Sequence, residues 1–165
     1  MALPPDICIR GAGIVGRTLA LLLAREQLNV ALVDFPASTV APDVRAYSLN
    51  GAAKDLLQDL RCWPEAPAVT PVHQMQVWGD DGGQLHFGAG EHGVGELNWM
   101  VDVPVLQDRL AQAVQFQPQI QVVQAPVAAP LTVVCEGRAS QTRAELGLES
   151  SIVVQALPAL AQSPS

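Results

Sequence analysis

Six residues near the start of the chain, Gly11-Ala12-Gly13-Ile14-Val15-Gly16, have the types and spacing to hold a phosphate chain. They form G-x-G-x-x-G, fed by the run Asp6-Ile7-Cys8-Ile9-Arg10 and followed by a helical pattern, which is the context in which such a turn binds dinucleotides. The three glycines serve different ends. Gly11 allows the tight strand-to-helix turn, Gly13 lets the backbone approach a pyrophosphate, and Gly16 lets the helix pack on the strand. The pyrophosphate would rest on free backbone N–H groups at the positive end of the helix, with Ala12, Ile14 and Val15 completing the turn. A second apolar run, Asn29-Val30-Ala31-Leu32-Val33, ends in Asp34, roughly 20 residues beyond the first glycine, where a carboxylate can accept the ribose hydroxyls of an adenosine.

No other group of residues suggests competing chemistry. His73, His86 and His92 lack the spacing of metal ligands, so no metal is expected, and they read as residues of a hairpin and its loops. Ser140 has no Gly-x-Ser-x-Gly elbow around it. Cys8, Cys62 and Cys135 are odd in number and far apart, as expected of reduced, mostly buried thiols in a cytosolic protein. Trp63, Trp78 and Trp99 are expected to pack in the core or a lid. The catalytic residues are therefore left unassigned.

The elements that must position the glycine turn follow from periodicity. A first helix is expected from Ile14 to about Gln27. Pro36 to Asp43 reads as a loop, leading into Asp43-Val44-Arg45-Ala46. Ser48 is expected to cap a second helix whose apolar side carries Leu49, Ala53, Leu56, Leu57 and Leu60, with Arg61 at its negative end. Trp63 to Pro71 holds three prolines and reads as a surface connection. Met75-Gln76-Val77-Trp78 and Gln84-Leu85-His86-Phe87 alternate around a Gly/Asp turn, which signals a β-hairpin. A short apolar stretch, Leu97 to Val101, precedes a third helix that starts near Pro104 and buries Leu106, Leu110, Ala113 and Val114. Ile120 to Val123 and Leu131 to Val134 read as two more strands. Ser140 is expected to cap a short last helix that Gly147 ends.

A chain of 165 residues, 49% hydrophobic and 15% charged, has room for one domain with a real core. Nine Lys and Arg against sixteen Asp and Glu give a formal charge of −7, which argues against nucleic acid as a partner. The apolar run from Ile14 to Ala24 is interrupted and too short to span a bilayer, and the start lacks the features of a signal peptide. A cytoplasmic location is expected, with peripheral contact at the inner membrane left open. Residues 1–150 read as the folded domain and 151–165 as a frayed tail rich in Ala, Pro, Ser and Gln.

With these pieces in order, the chain resembles the N-terminal part of the flavin-dependent aromatic hydroxylases, in the branch that acts on ubiquinone precursors. The blocks that carry the resemblance are the glycine turn with Asp34, the segment Asp43-Val44-Arg45-Ala46-Tyr47-Ser48-Leu49, the strand with Glu136-Gly137, Ser140 and Arg143, and the helical Val105-Leu106-Gln107-Asp108-Arg109-Leu110. The resemblance implies an α/β, Rossmann-like FAD-binding domain with a parallel sheet and a β-hairpin excursion, incomplete relative to the family. It assigns Arg45 to the flavin and its ribityl chain, Gln107 to the cofactor, and Glu136 and Gly137 to a second fingerprint linked to nicotinamide access. Two departures stand out: Glu136 replaces the usual Asp, and Arg10 occupies a position that is usually small or aliphatic, where a buried guanidinium needs a partner.

The implied activity is hydroxylation of an aromatic ring, a quinone precursor, with FAD as cofactor, NAD(P)H as transient electron donor and O₂ as oxidant. Family members run well past twice this length, and the counterpart of their third fingerprint does not follow here. The chain thus reads as a truncated member, and the alternative is a non-catalytic nucleotide-binding or interaction fragment that retains the Rossmann turn. An NAD-binding module also stays open, because Asp34 would suit its ribose equally. Uncovered apolar surface where further chain would pack leads to an expectation of self-association or of a complementing chain.

Overall fold

The computed structural model describes residues 4–35, 44–80, 82–137 and 140–148. In chain order the elements are β1 (Ile7–Arg10), α1 (Ile14–Arg25), β2 (Val30–Val33), β3 (Ala46–Leu49), α2 (Gly51–Asp59), β4 (Val69–Val72), β5 (Gln74–Trp78), β6 (Gln84–Gly88), β7 (Asn98–Asp102), α3 (Val103–Gln115), β8 (Ile120–Val123), β9 (Leu131–Val134) and α4 (Gln141–Glu145), with a 3₁₀ turn at Ala89–His92. The chain is thus α/β. The expected loop over 36–43, the segment 138–139 and the expected tail over 151–165 lie outside the described residues.

A strand covered on both faces needs an unbroken apolar run, and Val30-Ala31-Leu32-Val33 is buried at all four positions. This β2 pairs in parallel with β1, Ile9 opposite Leu32, and with β8 on its other side, while β9 pairs in parallel with the far edge of β1. The sheet order is β8-β2-β1-β9, so the strand that feeds the glycine turn is central. Parallel pairing requires crossovers, and α1 supplies the one between β1 and β2. Leu21 and Ala24 of α1, Leu106, Leu110 and Val114 of α3, and Ile9 and Leu32 of the sheet share one core. Pro104 sits in the first turn of α3, where its missing N–H has no intrahelical acceptor to lose.

A second, antiparallel sheet runs β3-β7-β4, and two segments there differ from the sequence expectation. Ser48 does not cap a helix. Ala46–Leu49 is extended against Trp99–Asp102, and the cap of α2 is Asn50, whose side-chain oxygen accepts from the Ala53 N–H at 3.0 Å. Leu49 therefore belongs to β3 and not to the apolar side of α2. The proline-bearing stretch before Val72 is not wholly a surface connection either, since Val69–Val72 pairs with β7 as an edge strand. An edge position is where Pro71 is tolerated, because one side of the strand has no ladder to donate to. The hairpin is present as β5 and β6, with Met75 opposite Phe87 and Val77 opposite Leu85. Trp63 and Trp99 meet edge to face at 6.2 Å, with the Lys54 ammonium 4.1 Å above Trp99, whereas Trp78 is 63% exposed and stands outside the core.

Three helices close in the same way. After α1, Gln27 takes φ 61° and the Leu28 N–H bonds back to the Leu23 carbonyl; after α2, Arg61 takes φ 57° and the Cys62 N–H reaches Leu57; after α4, Gly147 takes φ 67° and the Leu148 N–H reaches Arg143. Each is a left-handed residue followed by a six-to-one bond, the Schellman closure. α1 therefore ends at Arg25, short of Gln27, and α2 at Asp59, so that Arg61 is beyond the helix. The Ser140 cap of α4, accepting from the Arg143 N–H at 3.2 Å, is as expected.

Candidate functional site

The strand-to-helix turn is built from glycines for two separable reasons. Gly11 takes φ 109°, and a Cβ there would lie 2.5 Å from the Cys135 carbonyl oxygen; a Cβ on Gly16 would land on the Gly11 carbonyl. Both glycines are demanded by the chain's own packing. Gly13 is different, because a Cβ on it would meet no atom within 4 Å and its φ of −75° is ordinary. Nothing inside the described structure requires that glycine, as expected where the missing side chain makes room for a ligand.

α1 begins at this turn without a side-chain cap and without an acidic residue in its first turn. Its leading N–H groups have no acceptor within the helix, and the helix field there favours an anion. Around this end opens a cleft of about 700 Å³ lined by Gly11, Ala12, Gly13, Ile14, Val15, Asp34, Arg45, Gln107, Glu136 and Gly137. Ten of the eleven residues singled out from sequence thus border one cavity; Gly16 lies beneath it, against the Gly11 carbonyl. Four elements deliver most of them: the turn after β1, the end of β2, α3, and the end of β9.

Asp34 is fixed at the end of β2 by its own N–H, which donates to the Val123 carbonyl at 2.9 Å. Its carboxylate faces Arg17, with Nη2 3.6 Å from Oδ2, and the same guanidinium donates through Nη1 to the Gln107 carbonyl at 3.3 Å. Arg45 stands at the start of β3, its carbonyl accepting from the Val103 N–H at 3.0 Å, so the strand entry is tied to the start of α3.

Glu136 borders the cleft, but its carboxylate is engaged within the protein. Oε1 lies 2.9 Å from Arg10 Nε and accepts from the Thr142 hydroxyl at 2.7 Å, while Oε2 accepts from the Ser140 hydroxyl at 2.8 Å and the Thr142 N–H at 2.9 Å. Burial pushes the carboxyl upward. The Thr142 and Ser140 hydrogen bonds and the Arg10 guanidinium outweigh it and lower the pKa from its ordinary 4.5 to about 2. Arg10 also reaches Glu145 at 3.2 Å, so the guanidinium that called for a partner has two. The network fastens the ends of β1 and β9 to α4. Gly137, at φ 70°, turns the chain toward that helix.

Sequence reasoning missed Arg17, Phe35, Tyr47, Leu49, Cys135 and Gln141, which also line the cleft. The signal for Arg17 was a cation interrupting the otherwise apolar Ile14–Leu23; the others carry no signal that spacing alone would reveal. Burial raises the Cys135 thiol above its ordinary pKa, so it is not a ready nucleophile. Cys62 is raised in the same way, although Arg109 and Arg25 partly oppose the effect. His73 and His86 sit apart from the cleft, near the Gly95 carbonyl and Glu91. Among the described residues no helix is long and apolar enough to cross a membrane.

The residues present fit a dinucleotide: an open approach at Gly13, an uncapped helix start, and a strand-end carboxylate all face one cavity. No protein-family model matches the chain. It is 34% identical over 124 residues to the 3-demethoxyubiquinol 3-hydroxylase of Escherichia coli, a match covering 71% of this chain and 32% of that protein. It is 27% identical to the ubiquinone hydroxylase UbiM of Neisseria meningitidis, covering 92% of this chain and 40% of the relative. Among solved structures, the flavin-dependent monooxygenase PieE, crystallised with FAD and substrate, superposes with a TM-score of 0.65 at 19% identity over 88% of this chain and 32% of its own. The chain spans 32% and 40% of the length of these two curated relatives. In sequence the chain is thus similar to ubiquinone hydroxylases, matching a part of their longer chains, and it shares the fold of a flavin-dependent monooxygenase.

Proposed function

We propose that the cleft is an FAD site and that the chain is the cofactor-binding part of an NAD(P)H-dependent monooxygenase that hydroxylates an aromatic quinone precursor. The observation that carries this reading is the convergence on one cavity of residues chosen from sequence, with Gly13 open toward it. In this arrangement the start of α1 and the backbone of Gly11–Gly16 bind the pyrophosphate, Asp34 accepts the adenosine ribose, and Arg45, Gln107 and Gly137 border the flavin end. Glu136 acts as the anchor that keeps the β9 end beside the glycine turn. Bound FAD would supply the redox chemistry, taking hydride from a nicotinamide and passing electrons to O₂.

A second reading, a nucleotide-binding or interaction fragment without turnover, is favoured by one observation: the Glu136 carboxylate at the cleft is engaged by Arg10, Ser140 and Thr142. Titration of the purified chain with FAD, followed by absorbance and by quenching of flavin fluorescence, tests the cofactor assignment. Saturable binding that Gly13→Val abolishes supports it, and no binding by a folded chain overturns it. Oxidation of NADH or NADPH by the FAD-loaded chain then separates the two readings.

A further inference from the structure

The first turns of α1 carry one charged side chain, Arg17, and nothing in the glycine motif calls for it. Its side chain is 18% exposed and spans the cleft between two elements far apart in sequence, β2 through Asp34 and α3 through the Gln107 carbonyl. Both contacts are long, 3.6 Å and 3.3 Å, and use two of the nitrogens of a group with five N–H donors. Asp34 is the more open partner, with 44% of its side chain exposed. At the adenosine end of a dinucleotide site the two ribose chemistries need opposite charges. A carboxylate accepts a free 2′-hydroxyl, and an arginine accommodates a 2′-phosphate. This cleft holds both groups, and they are paired with each other.

We propose that Arg17 and Asp34 form a selector for the adenosine ribose, in which Arg17 holds the Asp34 carboxylate ready for a 2′-hydroxyl and is itself masked by it from a 2′-phosphate. The proposal rests on the nucleotide-binding reading of the cleft and specifies the ribose it accepts. Two consequences follow from the pairing. Loss of the guanidinium releases a half-buried carboxylate from its tether and weakens binding of the unphosphorylated ribose. Loss of the carboxylate charge unmasks the guanidinium and favours the phosphorylated one.

ADP-ribose and its 2′-phosphate differ only at the group in question, so calorimetric titration of the full chain with each reads the selection directly. Wild type is compared with Arg17→Met, Arg17→Lys, Asp34→Asn and the Asp34→Asn/Arg17→Met double variant, with melting temperature as a check on folding. Wild type should prefer ADP-ribose. Asp34→Asn should move the ratio of affinities toward the 2′-phosphate by about tenfold, the double variant should lose that shift, and Arg17→Lys should keep part of the wild-type affinity that Arg17→Met loses. An equal ratio in Asp34→Asn with Arg or with Met at position 17 would overturn the selector while leaving the nucleotide site standing. A folded wild-type chain that binds neither compound would overturn the site and the selector together.

Discussion

Glu136 and Arg10 show how two unusual residues explain each other. Beside the flavin hydroxylases each looks like a departure, yet the longer arm of Glu136 reaches Arg10, Ser140 and Thr142 at once. Because the folded-state pKa is about 2 and the ordinary value 4.5, the unfolded chain binds more protons between those limits. The contribution is fully present above pH 4.5 and is lost as pH falls toward 2, with an upper size of about 3 kcal/mol. Urea unfolding followed from pH 6 to pH 2 should show this acid loss, and Glu136→Gln should flatten it while lowering stability at neutral pH. The glycines offer a second contrast at this scale. Gly13→Val should leave the melting temperature nearly unchanged while removing FAD binding, because its Cβ has open space. Gly11→Ala and Gly16→Ala should melt the protein early by several kcal/mol, at about the cost of an overpacked, strained backbone site, whether or not FAD is added. A Gly13→Val chain that unfolds as readily as Gly16→Ala would contradict the division of labour.

At the level of elements, periodicity and punctuation were legible wherever local chemistry decided the outcome. The buried run Val30–Val33 reads as an interior strand, Pro104 opens α3, the hairpin alternates, and Ser140 and Gly147 bracket α4. What was not legible was decided by a distant partner. Ala46-Tyr47-Ser48-Leu49 carries no strand signal strong enough to stand alone and is extended because β7 pairs with it; Val69–Val72 is a strand despite Pro71 for the same reason. Helix ends follow the same rule, since a glycine announces the α4 closure while Gln27 and Arg61 adopt the same left-handed turn unannounced. A side chain at positive φ carries a steric penalty that glycine avoids. Gln27→Gly should accordingly raise stability by about 0.5–1 kcal/mol, net of glycine's extra chain entropy. Thermal unfolding checks this, and a drop would mean that Gln27 contributes through its side chain, which pairs with Gln119 at 3.2 Å.

On the scale of the whole molecule, the core is concentrated around the parallel sheet, and the periphery is thinly covered. Trp78 and Leu85 of the hairpin and Leu131 and Val134 of β9 are each exposed. Apolar surface of this kind beside a strand edge that is unpaired among the described residues favours association. Light scattering should therefore show mass rising with concentration, and Trp78→Ser with Leu85→Ser should reduce it; a monodisperse monomer across the range would count against the expectation. The order β8-β2-β1-β9 has one more consequence, which concerns time. Strand β1 is flanked by β2 on one side and, on the other, by a strand more than a hundred residues later, and its terminal arginine waits for Glu136 and Glu145. A nascent chain can wind α1 early, but its phosphate-binding turn stays unbraced until almost the entire described chain has been made. Arrested chains released before β9 should thus be cut by protease near Gly11, and chains released after Leu148 should resist.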